Sequence, residues 1–261
     1  MALTHSCDTH LLNKRDIAKR FSKASSQYFT MANIQNTIAI AAKEHIPAIN
    51  GKILDIGCAS GEHTRSLGMD VVGVDLAFGM VRNAQNTPKT PNVSSAWVNA
   101  DMDALPFRCE LFSHVFSSMA LQWSKHPVLV LNEIYRVIAP SGGATLVIPV
   151  QGAFCQLQQA YEKCGLKSKV LPLQTSAEWL YLATEAGFKI SHSFEHVYQD
   201  KRDDFRALLK SISKVGASSS TINTSSNQLT KSKLIQLERC YPKVENAFTL
   251  DYRCLHMSLE K

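Results

Sequence analysis

The octapeptide L-D-I-G-C-A-S-G, Leu54 to Gly61, constrains the fold more than any other stretch of this chain. An apolar run enters a turn of glycine, alanine and serine, and such small residues let backbone pass close to a ligand. Strand-like and helix-like patterns alternate on either side of it. Candidate strands cover residues 52–56, 71–74, 93–98, 114–117 and 144–148, and helical periodicity covers 61–67, 78–86 and 128–138. That alternation predicts an α/β fold built on a doubly wound, mostly parallel sheet. Pro140, Gly142 and Gly143 predict a turn before the fifth strand.

The flanks are helical in pattern. Residues 11–46 carry Ile17, Phe21, Ala24, Tyr28 and Met31 at spacings of four and three, one apolar stripe, closed by Pro47 and Gly51. Beyond the fifth strand, residues 151–174 read as an inserted helix and loop. Residues 176–186 form a helix ended by Gly187, 189–197 a strand, 203–213 and 231–240 helices, and 248–257 a last strand. Eleven Ser or Thr within 211–232 predict a surface loop. The expected organisation is an N-terminal helical cap over 1–50 and a sheet domain over 51–261, with helical additions at 151–175 and 200–240.

A chain of 261 residues, 45% hydrophobic and 19% charged, can bury a sizeable core. No apolar run approaches a membrane span, and residues 1–20 are charged where a signal peptide is apolar, so a cytoplasmic location is expected. The seven cysteines show no C-x-x-C pair, and the nine histidines no H-E-x-x-H pattern; reduced thiols and no metal are expected. Net charge is +6. Lys14, Arg15, Lys19, Arg20 and Lys23 form one basic cluster, and Lys201, Arg202, Arg206, Lys210 and Lys214 another. No nucleic-acid motif accompanies them, so a solvated face or an acidic protein partner is expected.

Three acids stand at successive strand ends: Asp55 in the first turn, Asp75 ending the second strand, and Asp101 after the third. An Asp after a strand is commonly a turn former or helix cap, but three in register mark the edge where open α/β sheets bind ligands. Asp75 lies 20 residues after Asp55, a spacing that lets a carboxylate accept both ribose hydroxyls. NAD and S-adenosylmethionine both fit that far. The loop separates them, because a dinucleotide loop reads G-x-G-x-x-G and this one reads D-x-G-x-A-x-G, through Gly57, Ala59 and Gly61. The leading acid is unfavourable beside a pyrophosphate and favourable beside an ammonium and a sulfonium, which selects S-adenosylmethionine. In N-A-D-M-D-A-L-P-F, Asn99 to Phe107, Asp101 can take the exocyclic amine of adenine, and the Met102 amide a ring nitrogen.

With R-V-I-A-P-S-G-G at 136–143, this layout resembles class I S-adenosylmethionine-dependent methyltransferases from about Gly51 to Pro149. The family usually has glycine where Ala59 stands, and the alanine methyl is expected to be tolerated. R-F-S-K-A-S-S-Q-Y-F-T-M-A-N-I-Q (20–35), S-S-M-A-L-Q-W (117–123), V-Q-G (150–152), L-L-K-S (208–211), V-G-A (215–217) and L-T-K-S-K-L (229–234) resemble the malonyl-acyl carrier protein O-methyltransferases of biotin synthesis. Lys210 stands where that family usually has Arg, Ser118 where it has Asn, and its N-R-F segment is not visible in 170–174.

The resemblance implies methyl transfer to the free carboxylate of malonyl-acyl carrier protein, with the carrier docked on the two basic clusters, 14–23 and 201–214. It implies cofactor contacts from Asp55, Gly57, Gly61, Asp75, Leu76, Asp101, Met102 and Ser117, and substrate-side roles for Tyr28, Gln35, Trp123 and Lys210. Core packing is the ordinary alternative for Tyr28 and Trp123, and solvation for Lys210. Two other functions remain open on the sequence: methylation of another small carboxylate or a quinone precursor, and cofactor binding without catalysis.

Overall fold

The computed structural model describes residues 13–168, 170–214 and 230–261; the 215–217 motif, and residues 215–229 of the expected loop, lie outside them. Three helices come first, α1 (Lys14–Ala24), α2 (Tyr28–Met31) and α3 (Asn33–Lys43). Then follow β1 (Lys52–Ile56), β2 (Asp70–Asp75), α4 (Phe78–Asn86), β3 (Ser94–Asn99), β4 (Phe112–Ser118), α5 (Pro127–Val137) and β5 (Ile138–Pro149). The remainder is α6 (Cys155–Lys163), α7 (Ser176–Glu185), β6 (Lys189–Arg202), α8 (Phe205–Lys214), α9 (Lys231–Cys240), β7 (Lys243–Val244) and β8 (Ala247–Glu260).

Seven strands lie in the order β3-β2-β1-β4-β5-β8-β6, and the two-residue β7 pairs with β8 as an eighth. The first five are mutually parallel, and β8 runs antiparallel to both its neighbours. Strand order reverses between β1 and β4, so the crevice of this open sheet opens where the 54–61 turn leaves β1.

Apolar side chains on the two sheet faces build two cores. Leu54, Val115 and Leu146 pack with Leu131 and Ile134 of α5 and Trp179 of α7. Phe116, Val147 and Tyr252 pack with Ile38 of α3, Ala160 of α6, Leu208 of α8 and Leu237 of α9. Consecutive residues on β4, Val115 and Phe116, join opposite cores, as the two-residue period of a strand requires.

Three local expectations change. The single helix expected over 11–46 breaks at Ser25–Gln27 and again at Ala32, because α1 docks on α4. There the Gly79 amide donates to Ser22 Oγ at 3.1 Å, and Asn83 Nδ2 donates to the Ser25 carbonyl at 3.0 Å. The helix expected over 61–67 shrinks to a short 3-10 turn at Thr64–Ser66. Arg65 captures backbone acceptors nearby, donating to the Gly61 carbonyl at 2.9 Å and the Ala84 carbonyl at 2.6 Å. The turn expected at 140–143 is instead a bulge inside β5, with Ser141 at φ 63° and a register shift opposite Phe112 and His114.

β6 and β8 outrun the sheet. Pro149, the last residue of β5, pairs with Cys254, yet β8 continues back to Phe248 against Arg202 of β6. This two-stranded overhang projects past the carboxyl edge of the parallel strands, and α6 and α8 pack on its β8 strand. Among the described residues no helix is long and apolar enough to cross a membrane.

Candidate active site

The turn after β1 is shaped by three left-handed residues, Gly57 (φ 76°), Ala59 (φ 47°) and Gly61 (φ 81°). The Gly57 and Cys58 amides donate to the Val74 carbonyl at 2.8 and 3.0 Å, which pins the turn to the end of β2. A Cβ on Gly57 would fall 2.2 Å from the Ala120 methyl, and one on Gly61 2.3 Å from the Trp97 ring. Packing therefore demands glycine at both positions. Ala59 carries a side chain in a conformation that disfavours one by about 1–2 kcal/mol, and its amide donates to Asp75 Oδ2 at 3.0 Å.

Two adjoining cavities open at this turn, and Tyr28, Gly57, Ala59 and Ser118 line both. The first has an apolar floor of Ile56, Val74, Leu76 and Met102, with Asp75 and Asp101 at its margin. The second is more polar, lined by Gln35, Asn36, Asp55, Glu62 and His63. An apolar slot joined to an acidic one has the polarity of an adenosine joined to a cationic amino acid.

The acids are held by polar groups from several elements. Asp75 accepts from Ala59 N through one oxygen and from Ala77 N, at 2.8 Å, through the other. Burial nevertheless raises its pKa to about 6. Asp55, 4% exposed, accepts from Thr64 Oγ1 at 2.5 Å, and burial raises it to about 7 against the Thr64 hydrogen bond and the nearby Lys43 charge. Carboxyls destabilised in this way gain most from a positively charged ligand. The residues present thus fit S-adenosylmethionine, with its ammonium and sulfonium, and do not fit a pyrophosphate.

Helix α1 roofs the first cavity with Lys14, Ile17 and Phe21. Lys14 Nζ donates to Asp101 Oδ2 at 2.6 Å and to the Asp103 carboxylate. Burial opposes its charge, but the two carboxylates outweigh that and raise the Lys14 pKa. Phe21 meets Trp123 edge-on, 5.6 Å between centroids, and Tyr28 at 6.4 Å. Tyr28 stands at the junction of the cavities, where burial and the charges of Asp75, Glu62 and Asp55 raise its pKa. Its hydroxyl is a donor here rather than a base.

Of the residues singled out in the sequence, Tyr28, Gly57, Asp75, Leu76, Asp101, Met102 and Trp123 line the first cavity; Tyr28 and Gly57 also line the second, with Gln35 and Asp55. Gln35 Oε1 is buried there with no hydrogen-bond partner. Three expected contacts fall elsewhere. Gly61 lines neither cavity and backs onto Trp97. Ser117 turns its hydroxyl to the Ile56 carbonyl at 2.8 Å, while Ser118, on the opposite face of the strand, lines both cavities. Lys210 is exposed on α8 and lines neither cavity. The sequence reading missed Lys14 and Glu62 as lining residues; Lys14 lies three residues before Ile17 and seven before Phe21, the spacing of one helix face.

Comparisons with known proteins agree with this geometry. The family model for a methyltransferase domain matches residues 54–146. A malonyl-[acyl-carrier protein] O-methyltransferase of Pseudescherichia vulneris is 28% identical over 249 residues, 93% of this chain and 95% of that protein. A biotin biosynthesis bifunctional protein, BioHC, of Saccharophagus degradans is 25% identical over 90% of this chain and 44% of its own length. Among solved structures, a putative methyltransferase of Bacillus halodurans C-125 superposes with a TM-score of 0.60 at 18% identity, covering 85% of this chain and 98% of its own. With the acid-lined turn after β1 and the switch point beside it, these similarities identify residues 54–146 as a methyltransferase domain that uses S-adenosylmethionine.

Proposed function

We propose that the chain methylates the free carboxylate of a malonyl group carried by acyl carrier protein, giving the methyl ester that primes pimelate and biotin synthesis. The observation that carries this reading is end-to-end similarity to a protein named for that reaction, over flanks as well as core. S-adenosylmethionine supplies an electrophilic methyl on a sulfonium. Asp75 would accept the ribose hydroxyls, Asp101 and the Met102 amide would meet adenine, and Asp55 would face the ammonium side.

The nucleophile is already a carboxylate, so the chain's task is positioning and exclusion of water rather than proton removal. Tyr28, kept protonated by its surroundings, can donate to the substrate carboxylate at the cavity junction. Phe21 and Trp123, in edge contact, close the apolar side. Gln35 offers its unpartnered oxygen to the polar side.

An acidic carrier protein would dock on the basic surface, with α1–α3 acting as the cap. Lys14 is engaged with Asp101 and Asp103, Lys201 with Glu245 at 3.0 Å and Arg202 with Asp200 at 2.8 Å. Arg15, Lys19, Lys23 and Arg206 are the exposed cations that suit docking. Long-range steering of this kind weakens with salt. A cytoplasmic location, where carrier-linked acyl chains are made, belongs to this proposal.

Methyl transfer assayed with malonyl-carrier protein, malonyl-CoA and free small acids tests the substrate. Preference for the carrier-linked malonyl group supports the proposal, and preference for free acids refutes it. Asp75→Ala should abolish cofactor binding in the same preparation.

A further inference from the structure

Two thiols meet on the lobe that wraps the β6–β8 overhang. Cys164 caps the C-terminus of α6, and Cys240 is the last residue of α9. Cys164 Sγ donates to the Gln236 carbonyl at 3.2 Å, and the Gln236 amide donates back to the Cys164 carbonyl at 3.2 Å. In an α-helix the Gln236 carbonyl lies one turn from residue 240, on the same face. The Cys164 thiol accordingly sits against the turn of α9 that carries Cys240. Both residues are partly exposed and both are free thiols. Neither touches the cavities at the β1 turn, so methyl transfer gives no reason for the pairing.

We propose that Cys164 and Cys240 are an oxidisable pair that closes to a disulfide and staples α6 to α9. Its hydrogen bond to the Gln236 carbonyl holds the Cys164 sulfur as the thiol, so Cys240 meets the oxidant first and Cys164 resolves it. With a peroxide as oxidant, the Cys240 sulfur attacks one oxygen, forming a sulfenic acid and releasing water. The Cys164 sulfur then attacks the Cys240 sulfur, the S–S bond forms, and the hydroxyl leaves as a second water. Two thiols lose two hydrogens and two electrons, and the peroxide is reduced to water. The bridge ties together two helices that pack on each other beside the overhang, on the edge of the sheet that carries the cavities.

Mild hydrogen peroxide treatment of the whole protein, followed by alkylation and peptide mass mapping, tests this. The expected result is a linked pair of peptides containing Cys164 and Cys240, two hydrogens lighter than the separate peptides and released by dithiothreitol. Two of the seven thiols then escape alkylation. The oxidised protein should also melt at a higher temperature than the reduced protein. Cys164→Ser and Cys240→Ser should each abolish the linked peptide and the melting shift. Independent oxidation of the two residues to sulfinic acids, linkage to other cysteines, or a linked pair without a melting shift would overturn the proposal.

Discussion

Lys14 Nζ lies 2.6 Å from Asp101 Oδ2, so the first turn of α1 is ion-paired to a carboxylate on the margin of the first cavity. This contact links the roof to the floor of the site, and Asp101 also accepts from the Asp103 amide at 3.0 Å. The side chains of Lys14 and Asp101 are 31% and 34% exposed, so the pair is screened and its contribution is modest. Lys14→Ala should weaken S-adenosylmethionine binding about three-fold, as expected for an ion pair worth up to about 1 kcal/mol. Calorimetric titration at low and high salt checks this. The wild-type advantage should shrink in high salt, and an unchanged affinity would separate the roof from cofactor retention.

The contact between Gly79 and Ser22 sets how close that roof sits. A Cβ at Gly79 would lie 2.7 Å from the Ser22 carbonyl oxygen and 2.8 Å from its Cα. Backbone cannot yield as a side-chain tip can, so Gly79→Ala should push α1 away from α4. A loss of about 1–3 kcal/mol is expected from overpacking, with weaker cofactor binding beside it. Denaturant unfolding and cofactor titration of the same variant measure both.

Ala59 is held at φ 47° while its amide serves Asp75. Ala59→Gly should relieve the left-handed strain and stabilise the protein by up to about 1 kcal/mol, with cofactor affinity unchanged or improved. Chemical denaturation with and without S-adenosylmethionine provides the comparison, and a less stable variant would contradict the strain argument.

Asp55 and Asp75 give the site a pH dependence whose sign is fixed. Their folded pKa values, about 7 and about 6, lie above the ordinary 3.8, so the folded state holds protons more tightly than the unfolded chain. Stability of the cofactor-free protein should therefore fall as pH rises from about 4 through about 7. A cationic cofactor favours the ionised carboxylates, so its affinity should rise over the upper part of the same window, with proton release on binding. Titrations in buffers of different ionisation enthalpy detect those protons. Binding that strengthens on acidification would contradict the assignment of the acids to a cationic ligand.

These relationships also explain what could be read before the fold was known. The bounds of β1, α4 and α9 match the expected 52–56, 78–86 and 231–240, because each pattern is set by its own side chains. The split of the N-terminal helix was not legible. No glycine or proline marks Ser25–Gln27, and the break is imposed by docking on Gly79 and Asn83. Ser117 and Ser118 show the same limit at one-residue scale, since a strand sends adjacent side chains to opposite faces. The acids at the strand ends were legible because the sheet edge itself lines them up. Lys210 was not, because its position depends on how α8 lies against the overhang.

The central claim is tested most directly by transfer of a labelled methyl group from S-adenosylmethionine to malonyl-acyl carrier protein. The account predicts a carrier-linked malonyl methyl ester formed by the wild type, at a rate that falls with added salt, and none formed by Asp75→Ala. Tight cofactor binding by the wild type with label transferred only to free small acids, or to no substrate, would contradict it.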